Sequence, residues 1–348
     1  MIPEHPKDMS LDWLCEKLGG SKGALKGFDY APIGTGQVGD SYRLTLTWDP
    51  HQENLPSSIV VKCPAQDTKS RETGRMLHNY EVEVRWYQEF ARTAKIRTPN
   101  CFFVDMGKDT SNFALLMEDV APAQQGNQLA GATADDVKLV IDELAHLHAF
   151  RWNDPHLVNI DWLNFNKANR EMVGGLVPQL YPEWRLRYAD RISTDILEMG
   201  DAFIARYERY GLDQATPIAV VHGDCRLDNV LFSDAQGRAI IVDWQTINAG
   251  SPMGDISYLL GTSFNDPSLR AAHEEALIAH YIERLAEYGI VDYSQAYRDY
   301  RYHAFSGFLM AVIASMLVER TPRGDEMFAV MAERSGAQAL ALDSLSLV

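Results

Sequence analysis

The run Val221-His222-Gly223-Asp224-Cys225-Arg226-Leu227-Asp228-Asn229-Val230-Leu231-Phe232, with Ile240-Ile241-Val242-Asp243-Trp244 shortly after it, decides how the rest of the chain is read. Between its apolar ends the first run sets a carboxylate at Asp224, a cation two positions on at Arg226 and a carboxamide five positions on at Asn229. The second apolar run closes in another carboxylate, Asp243. Taken alone, His-Gly-Asp is a turn and an Asp at a strand end is a cap. Their conjunction at this spacing points instead to chemistry. Magnesium takes oxygen ligands in near-octahedral geometry, usually one or two from carboxylates and the rest from water and phosphates. Asn229 and Asp243 suit such an ion, and Asp224 is left to accept the proton of an attacking hydroxyl. Cys225 has no activating partner in the sequence and reads as a small loop filler.

The loop His-Gly-Asp-x-Arg-Leu-Asp-Asn and the following Val-Asp-Trp-Gln resemble the catalytic and metal-binding segments of the aminoglycoside phosphotransferase and choline kinase superfamily, including its ecdysteroid-kinase-like branch. The Asp, the plus-two cation and the plus-five Asn match protein kinases as well. Asp243-Trp244-Gln245 stands where those kinases carry Asp-Phe-Gly. The resemblance implies an α+β, protein-kinase-like fold of two lobes. Residues 1–120 would form a small antiparallel-sheet lobe with one main helix and the hinge. Residues 121–348 would form a large, mostly helical lobe with a substrate-covering insert at about 154–215. It also implies ATP and Mg²⁺ as cofactors and a small molecule with a hydroxyl group as acceptor.

Bulk properties agree with that picture. At 348 residues the chain exceeds one ordinary core, and its 46% hydrophobic and 23% charged composition is that of a globular protein. A net charge of −16 argues against nucleic-acid and anionic-membrane partners, which require basic patches. Lys62 and Arg226 are the candidates for a locally basic nucleotide site. The cysteines at 15, 63, 101 and 225 are widely spread, with no zinc or disulfide pattern, and the first residues lack the basic and apolar regions of a signal peptide, so a reducing cytoplasm is expected. Ala304 to Val318 is apolar but short of the roughly 18 to 20 residues a spanning helix needs, and reads as a buried helix. Oligomeric state is not legible.

Along the chain, Ser10 followed by Leu11, Leu14 and Leu18 and then Gly19-Gly20 predicts a short capped helix. The glycine-rich Gly34-Thr35-Gly36-Gln37-Val38-Gly39-Asp40-Ser41 precedes the alternating Tyr42, Leu44, Leu46 and Trp48 of a strand. Such a turn can lay backbone N–H groups on phosphates, which makes Gly34, Gly36 and Ser41 candidate cofactor contacts. Ser58-Ile59-Val60-Val61-Lys62 ends a β-branched strand in a lone lysine, the residue that in kinases grips the α- and β-phosphates and pairs with a glutamate of the next helix. That helix is expected from Arg75 to Ala91 and carries Glu81, Glu83 and Glu89. Resemblance of Tyr80-Glu81-Val82-Glu83-Val84-Arg85-Trp86-Tyr87 to the family's Glu-Val-x-Phe-Tyr selects Glu83, with Glu81 as its competitor.

By the same analogy the C=O of Glu118 and the N–H of Val120 would bond adenine, and Asp255, in Gly250-Ser251-Pro252-Met253-Gly254-Asp255, would brace the catalytic loop, a helix N-cap being the competing reading. The loop 121–132, rich in Gly, Gln and Ala, is the expected lobe boundary. Thr133 caps a helix running to Trp152, on which His148 reads as a hydrogen-bonded core residue. Trp162, Phe165, Tyr181, Trp184 and Tyr188 either line a pocket for a partly apolar alcohol or simply pack helices, and Arg185, Arg187 and Arg191 read as a solvated face. Three helices are expected to finish the chain, over 267–289, 293–319 and 325–345.

Those residues imply transfer of the γ-phosphate of MgATP to a hydroxyl, with Asp224 as proton acceptor and Arg226 stabilising the transferring group. Two alternatives remain open at this point. One is a metal-dependent phosphoesterase gathering two ions on His222, Asp224, Asp228 and Asp243, for which the remaining ligand motifs are missing. The other is a catalytically silent nucleotide-binding protein.

Overall fold

The computed structural model describes residues 2–34, 38–52, 54–210, 217–233 and 237–348, and of 165–173 and 233 the backbone only. The chain forms two compact units. One comprises Met1–Thr93, Thr98–Pro122 and Asp243–Thr246; the other comprises Ala94–Arg97, Ala123–Val242 and Ile247–Val348. The single boundary expected near residue 120 is therefore not the whole division, because the Asp243 segment belongs with the N-terminal unit.

In the first unit, helix α1 (Leu11–Lys17) is capped by Ser10, whose Oγ accepts the Trp13 N–H at 3.2 Å, and it stops before Gly19 at φ +78°. Five antiparallel strands follow: β1 (Leu25–Ile33), β2 (Gly39–Trp48), β3 (Ser58–Pro64), β4 (Cys101–Met106) and β5 (Phe113–Glu118), in the order β1-β2-β3-β5-β4. Alternation along β2 buries Tyr42, Leu44 and Leu46 and exposes Arg43, Thr45 and Thr47. The buried set packs with Leu14, Leu18, Leu25, Ile59 and Val61 into one core.

The helix expected from Arg75 to Ala91 is not continuous. It divides into α2 (Thr68–Met76) and α3 (Asn79–Arg85), separated by His78 in the left-handed region at φ +58°. A π-helical turn, Trp86–Phe90, then closes with Ala91 N–H donating to Trp86 O at 2.9 Å. Tyr80 packs at the break. Its ring lies where a Cβ on Gly74 would come within 2.6 Å, and its hydroxyl donates to Val38 O at 2.5 Å. Both the ring and the helices are thereby fixed to the start of β2.

The second unit is mainly helical. It begins with the short strand β6 (Gln124–Gln125) and α4 (Ala134–Phe150), whose N-terminus is a capping box between Thr133 and Asp136. The aromatic-rich stretch is one long helix, α5 (Asp161–Tyr188), followed by α6 (Thr194–Ile204). Then come β7 (Ala219–Val221), β8 (Val230–Ser233), β9 (Arg238–Ile241) and β10 (Asn248–Gly250). β6, β8 and β9 form one antiparallel sheet, and β7 pairs with β10 in another. Helices α7 (Pro252–Ser263), α8 (Pro267–Ala286), α9 (Ala296–Tyr302), α10 (Ser306–Leu317) and α11 (Pro322–Ala341) complete the unit. The middle of the three helices expected here is thus two, joined by a 3₁₀ turn at His303–Phe305. No helix among the described residues is long and apolar enough to cross a membrane.

Candidate active site

Lys62 sits near the end of β3, opposite Ser41 on β2 and Leu115 on β5. Its ammonium lies 2.9 and 2.7 Å from the two carboxylate oxygens of Glu83 and 2.9 Å from Asp243 Oδ1. Burial disfavours the Lys62 charge, but Asp243 and Glu83 reverse that effect and hold the ammonium above its ordinary pKa. For Glu83 burial prevails over the pull of Lys62 and pushes the carboxyl upward. Glu81, the competing glutamate, instead faces His78, with Oε2 at 3.3 Å from Nδ1. Asp243 itself adopts φ +67°, a conformation uncommon outside glycine. The residue after it is anchored firmly: the Trp244 indole stacks on Trp86 with centroids 3.9 Å apart, and its N–H donates to Thr98 Oγ1 at 2.9 Å.

In the second unit, β7 delivers the chain into the Asp224 loop, and a 3₁₀ turn at Leu227–Asn229 leads it out into β8. Asn229 donates through Nδ2 to both the backbone oxygen and Oδ2 of Asp224, each at 2.9 Å. Tyr258 donates its hydroxyl to Asp224 Oδ1 at 2.7 Å, and Arg226 Nε lies 3.4 Å from the same oxygen. Arg226 also bonds Asp228 Oδ2 at 2.9 Å. Burial opposes the Arg226 charge, and Asp224 and Asp228 more than compensate, so the guanidinium stays charged. Val242, the residue before Asp243, donates its N–H to Asn229 O at 3.0 Å.

Two supports hold this loop. Asp255, on the first turn of α7, accepts the N–H groups of His222 at 2.6 Å and Gly223 at 2.8 Å. Buried His148 bridges that carboxylate to the Tyr281 hydroxyl. Burial works to raise the Asp255 pKa, yet the bonds from His148 and Gly223, with the nearby His222, bring it below the usual value. The other support lies in the loop expected only to mark the lobe boundary. Gln128, fully buried, accepts Leu227 N–H at 3.0 Å, donates its own N–H to Asp228 Oδ1 at 3.0 Å, and donates Nε2 to Thr262 O at 2.7 Å. A Cβ on Gly126 would come within 2.5 Å of Leu227 O, so only glycine lets that loop approach the turn. Sequence reasoning missed Gln128 and Tyr258. The one available signal was that Tyr258 follows Asp255 by three residues, nearly one helical turn.

The other expected residues fall as follows. Gly34, at φ +73°, follows directly after β1, and Ser41 is partly buried on β2, while Gly36 lies outside the described residues. Glu118 closes β5 and is tied to Asn100 by two bonds, N–H to Asn100 O at 2.8 Å and Oε2 from Asn100 N at 3.0 Å; Val120 is half-buried two residues on. Trp162, Tyr181, Trp184 and Tyr188 are all buried, with Tyr181 bonded to Asp201 and Tyr188 to Asp325, so they pack helices; the Phe165 side chain lies outside the described residues. Arg185 pairs with Asp201, and Arg187 with Glu183 and Ser315 O.

Residues 38–290 match the ecdysteroid kinase-like family. In fold the chain is similar to a Ralstonia eutropha JMP134 protein ascribed to the aminoglycoside phosphotransferases, with a TM-score of 0.55 and 15% identity over 96% of each chain. It is equally similar to an ethanolamine kinase of Plasmodium vivax, with a TM-score of 0.55 and 13% identity over 91% of this chain and 84% of that one. A curated relative, acyl-CoA dehydrogenase family member 11 of Gallus gallus, is 26% identical over 122 residues, which is 34% of this chain and 14% of that protein's length. The fold is therefore kinase-like. With most of its length matched, the chain belongs to the ecdysteroid kinase-like family.

Proposed function

We propose that this protein transfers the γ-phosphate of magnesium-bound ATP to a hydroxyl group of a small molecule. The observation that carries the reading is the ammonium of Lys62, buried and held by the carboxylates of Glu83 and Asp243. A buried cation with two carboxylate partners is expensive to assemble, and strongly perturbed groups of this kind concentrate at functional sites.

In this reading Lys62 holds the α- and β-phosphates, helped by backbone amides of the glycine-rich sequence that contains Gly34 and Ser41. The C=O of Glu118 and N–H of Val120 meet the adenine edge. Asn229 and Asp243 are the magnesium donors. Both hydrogen bonds of the Asn229 amide nitrogen go to Asp224, so its carbonyl oxygen is the atom available to a cation, and an all-oxygen donor set suits a hard ion. Magnesium held there would supply neutralisation of phosphate charge. Asp224 orients the acceptor hydroxyl and takes its proton, while Arg226 faces the transferring group. Phosphoryl transfer has a loose transition state, so alignment and charge neutralisation supply most of the rate gain.

The phosphoesterase alternative loses ground because its ligands are committed elsewhere. Asp228 receives Arg226, Arg323 and the Gln128 N–H, and His222 is engaged with Val242 O and the Asp224 N–H. Four of the aromatic residues that favoured an apolar alcohol are core residues, so acceptor class is best found by experiment. Aminoglycosides, choline-like compounds, sugar alcohols and sterol-like alcohols should be screened for ADP release, with GTP as competing donor and Asp224→Asn as control. Acceptor-dependent release that vanishes in the variant is the expected result. Hydrolysis that no hydroxyl compound stimulates would overturn the assignment.

A further inference from the structure

The two oxygens of the Asp224 carboxylate are held differently. Oδ1 takes the Tyr258 hydroxyl at 2.7 Å and has the Arg226 Nε charge 3.4 Å away, so both the hydroxyl and the guanidinium approach this oxygen. Among the described residues, Oδ2 takes the Asn229 amide at 2.9 Å and no other donor, which leaves a second acceptor direction. Tyr258 is 3% exposed and reaches the loop from α7, the helix that also carries the Asp255 brace. We propose that Tyr258 is a positioning residue that fixes the rotation of the Asp224 carboxylate so that Oδ2, and not Oδ1, receives the proton of the acceptor hydroxyl. The inference rests on Asp224 being the proton acceptor of the proposed phosphoryl transfer.

The step balances as follows. The acceptor oxygen forms its bond to the γ-phosphorus as its proton passes to Asp224 Oδ2; the bond from that phosphorus to the bridging oxygen breaks, and ADP leaves with the electron pair. The terminal torsion of an aspartate is a broad, roughly two-fold rotor. Without Tyr258 it is restrained by the single Asn229 bond and the longer Arg226 contact. A misplacement of about 1 Å at a reacting group can cost about 100-fold in rate. Burial together with the Asp224 charge pushes the Tyr258 hydroxyl well above its ordinary pKa, which keeps its proton available for donation.

A purely structural hydroxyl would move stability and leave turnover per folded molecule alone. With the acceptor found by screening, or with basal ATP hydrolysis if none is found, Tyr258→Phe should lower kcat roughly 10- to 100-fold while KM for each substrate stays within about twofold. Incorporating 4-aminophenylalanine at position 258 restores a donor and should return kcat to within about threefold of the parent. The amino variant also serves if the Phe variant does not fold, and a tenfold or greater loss in it overturns the proposal. So does an unchanged kcat in Tyr258→Phe while Asp224→Asn is inactive. Wild-type transfer by Asp224→Asn would instead remove the underlying reading.

Discussion

The Lys62 cluster and the Asp224 loop hold their charges by opposite means. Lys62 is a buried cation compensated by two carboxylates, and removal of the cation leaves Glu83, 1% exposed, without its ion-pair partner. Asp224 is a partly exposed carboxylate held by one hydroxyl, one amide and one guanidinium, with its loop clamped from behind through Asp255 and Gln128. One arrangement secures a charge; the other secures an orientation. Damage to the first should therefore appear mainly as lost stability and nucleotide affinity, and damage to the second mainly as lost turnover.

Asp224→Asn should give the largest effect, a fall in kcat of about 1000-fold, within the range general-base removal costs, with nucleotide Kd changed less than about threefold. Isothermal titration beside turnover assays checks the split, and a parallel loss of affinity would break the comparison. Lys62→Met should destabilise by about 3–5 kcal/mol, because a buried carboxylate loses its partner. Adding Glu83→Gln should recover part of that loss in denaturant melts; no recovery would mean that the ion pair is not what the lysine supports. Gly126→Ala pushes a Cβ into Leu227 O, and overpacking of this kind costs about 1–3 kcal/mol. Its kcat should fall more than its melting temperature suggests, since the displaced turn carries Asn229.

The smallest effect concerns acid. Asp255 is held below its usual carboxylate pKa, so the stability it contributes is complete above about pH 4, the ordinary carboxylate range, and is lost as pH falls through the lower folded value. Melts between about pH 5 and 2 should fall more steeply for the parent than for Asp255→Asn. Equal slopes would show that the clamp does not depend on that charge.

Much of this was legible in the chain. The spacing of Asp224, Arg226 and Asn229, the Asp at the end of the next apolar run, the alternation of β2 and the caps at Ser10 and Thr133 all depend on residues near one another in sequence. The choice between Glu81 and Glu83 required the sheet, because it turns on which carboxylate faces β3. The helix break at His78 left no trace in apolar periodicity, since Val82, Trp86 and Phe90 are buried on either geometry. Gln128 was hidden in a stretch whose Gly, Gln and Ala content resembles a linker; its importance comes from bonds to residues about a hundred positions away. The rings of α5 were ambiguous because a pocket and a helix interface select the same side chains.

By itself the sequence determined the main strands of the first unit, most helices and the identity of the charged groups, since local spacing and hydrophobic pattern encode these, and its motifs pointed to the family. Only the tertiary structure decided which groups hold one another: Lys62 with Glu83, Tyr258 with one oxygen of Asp224, Gln128 with the Leu227–Asn229 turn. Hydrogen bonds and ion pairs act over about 3 Å, so they are settled by the packing that brings distant segments together.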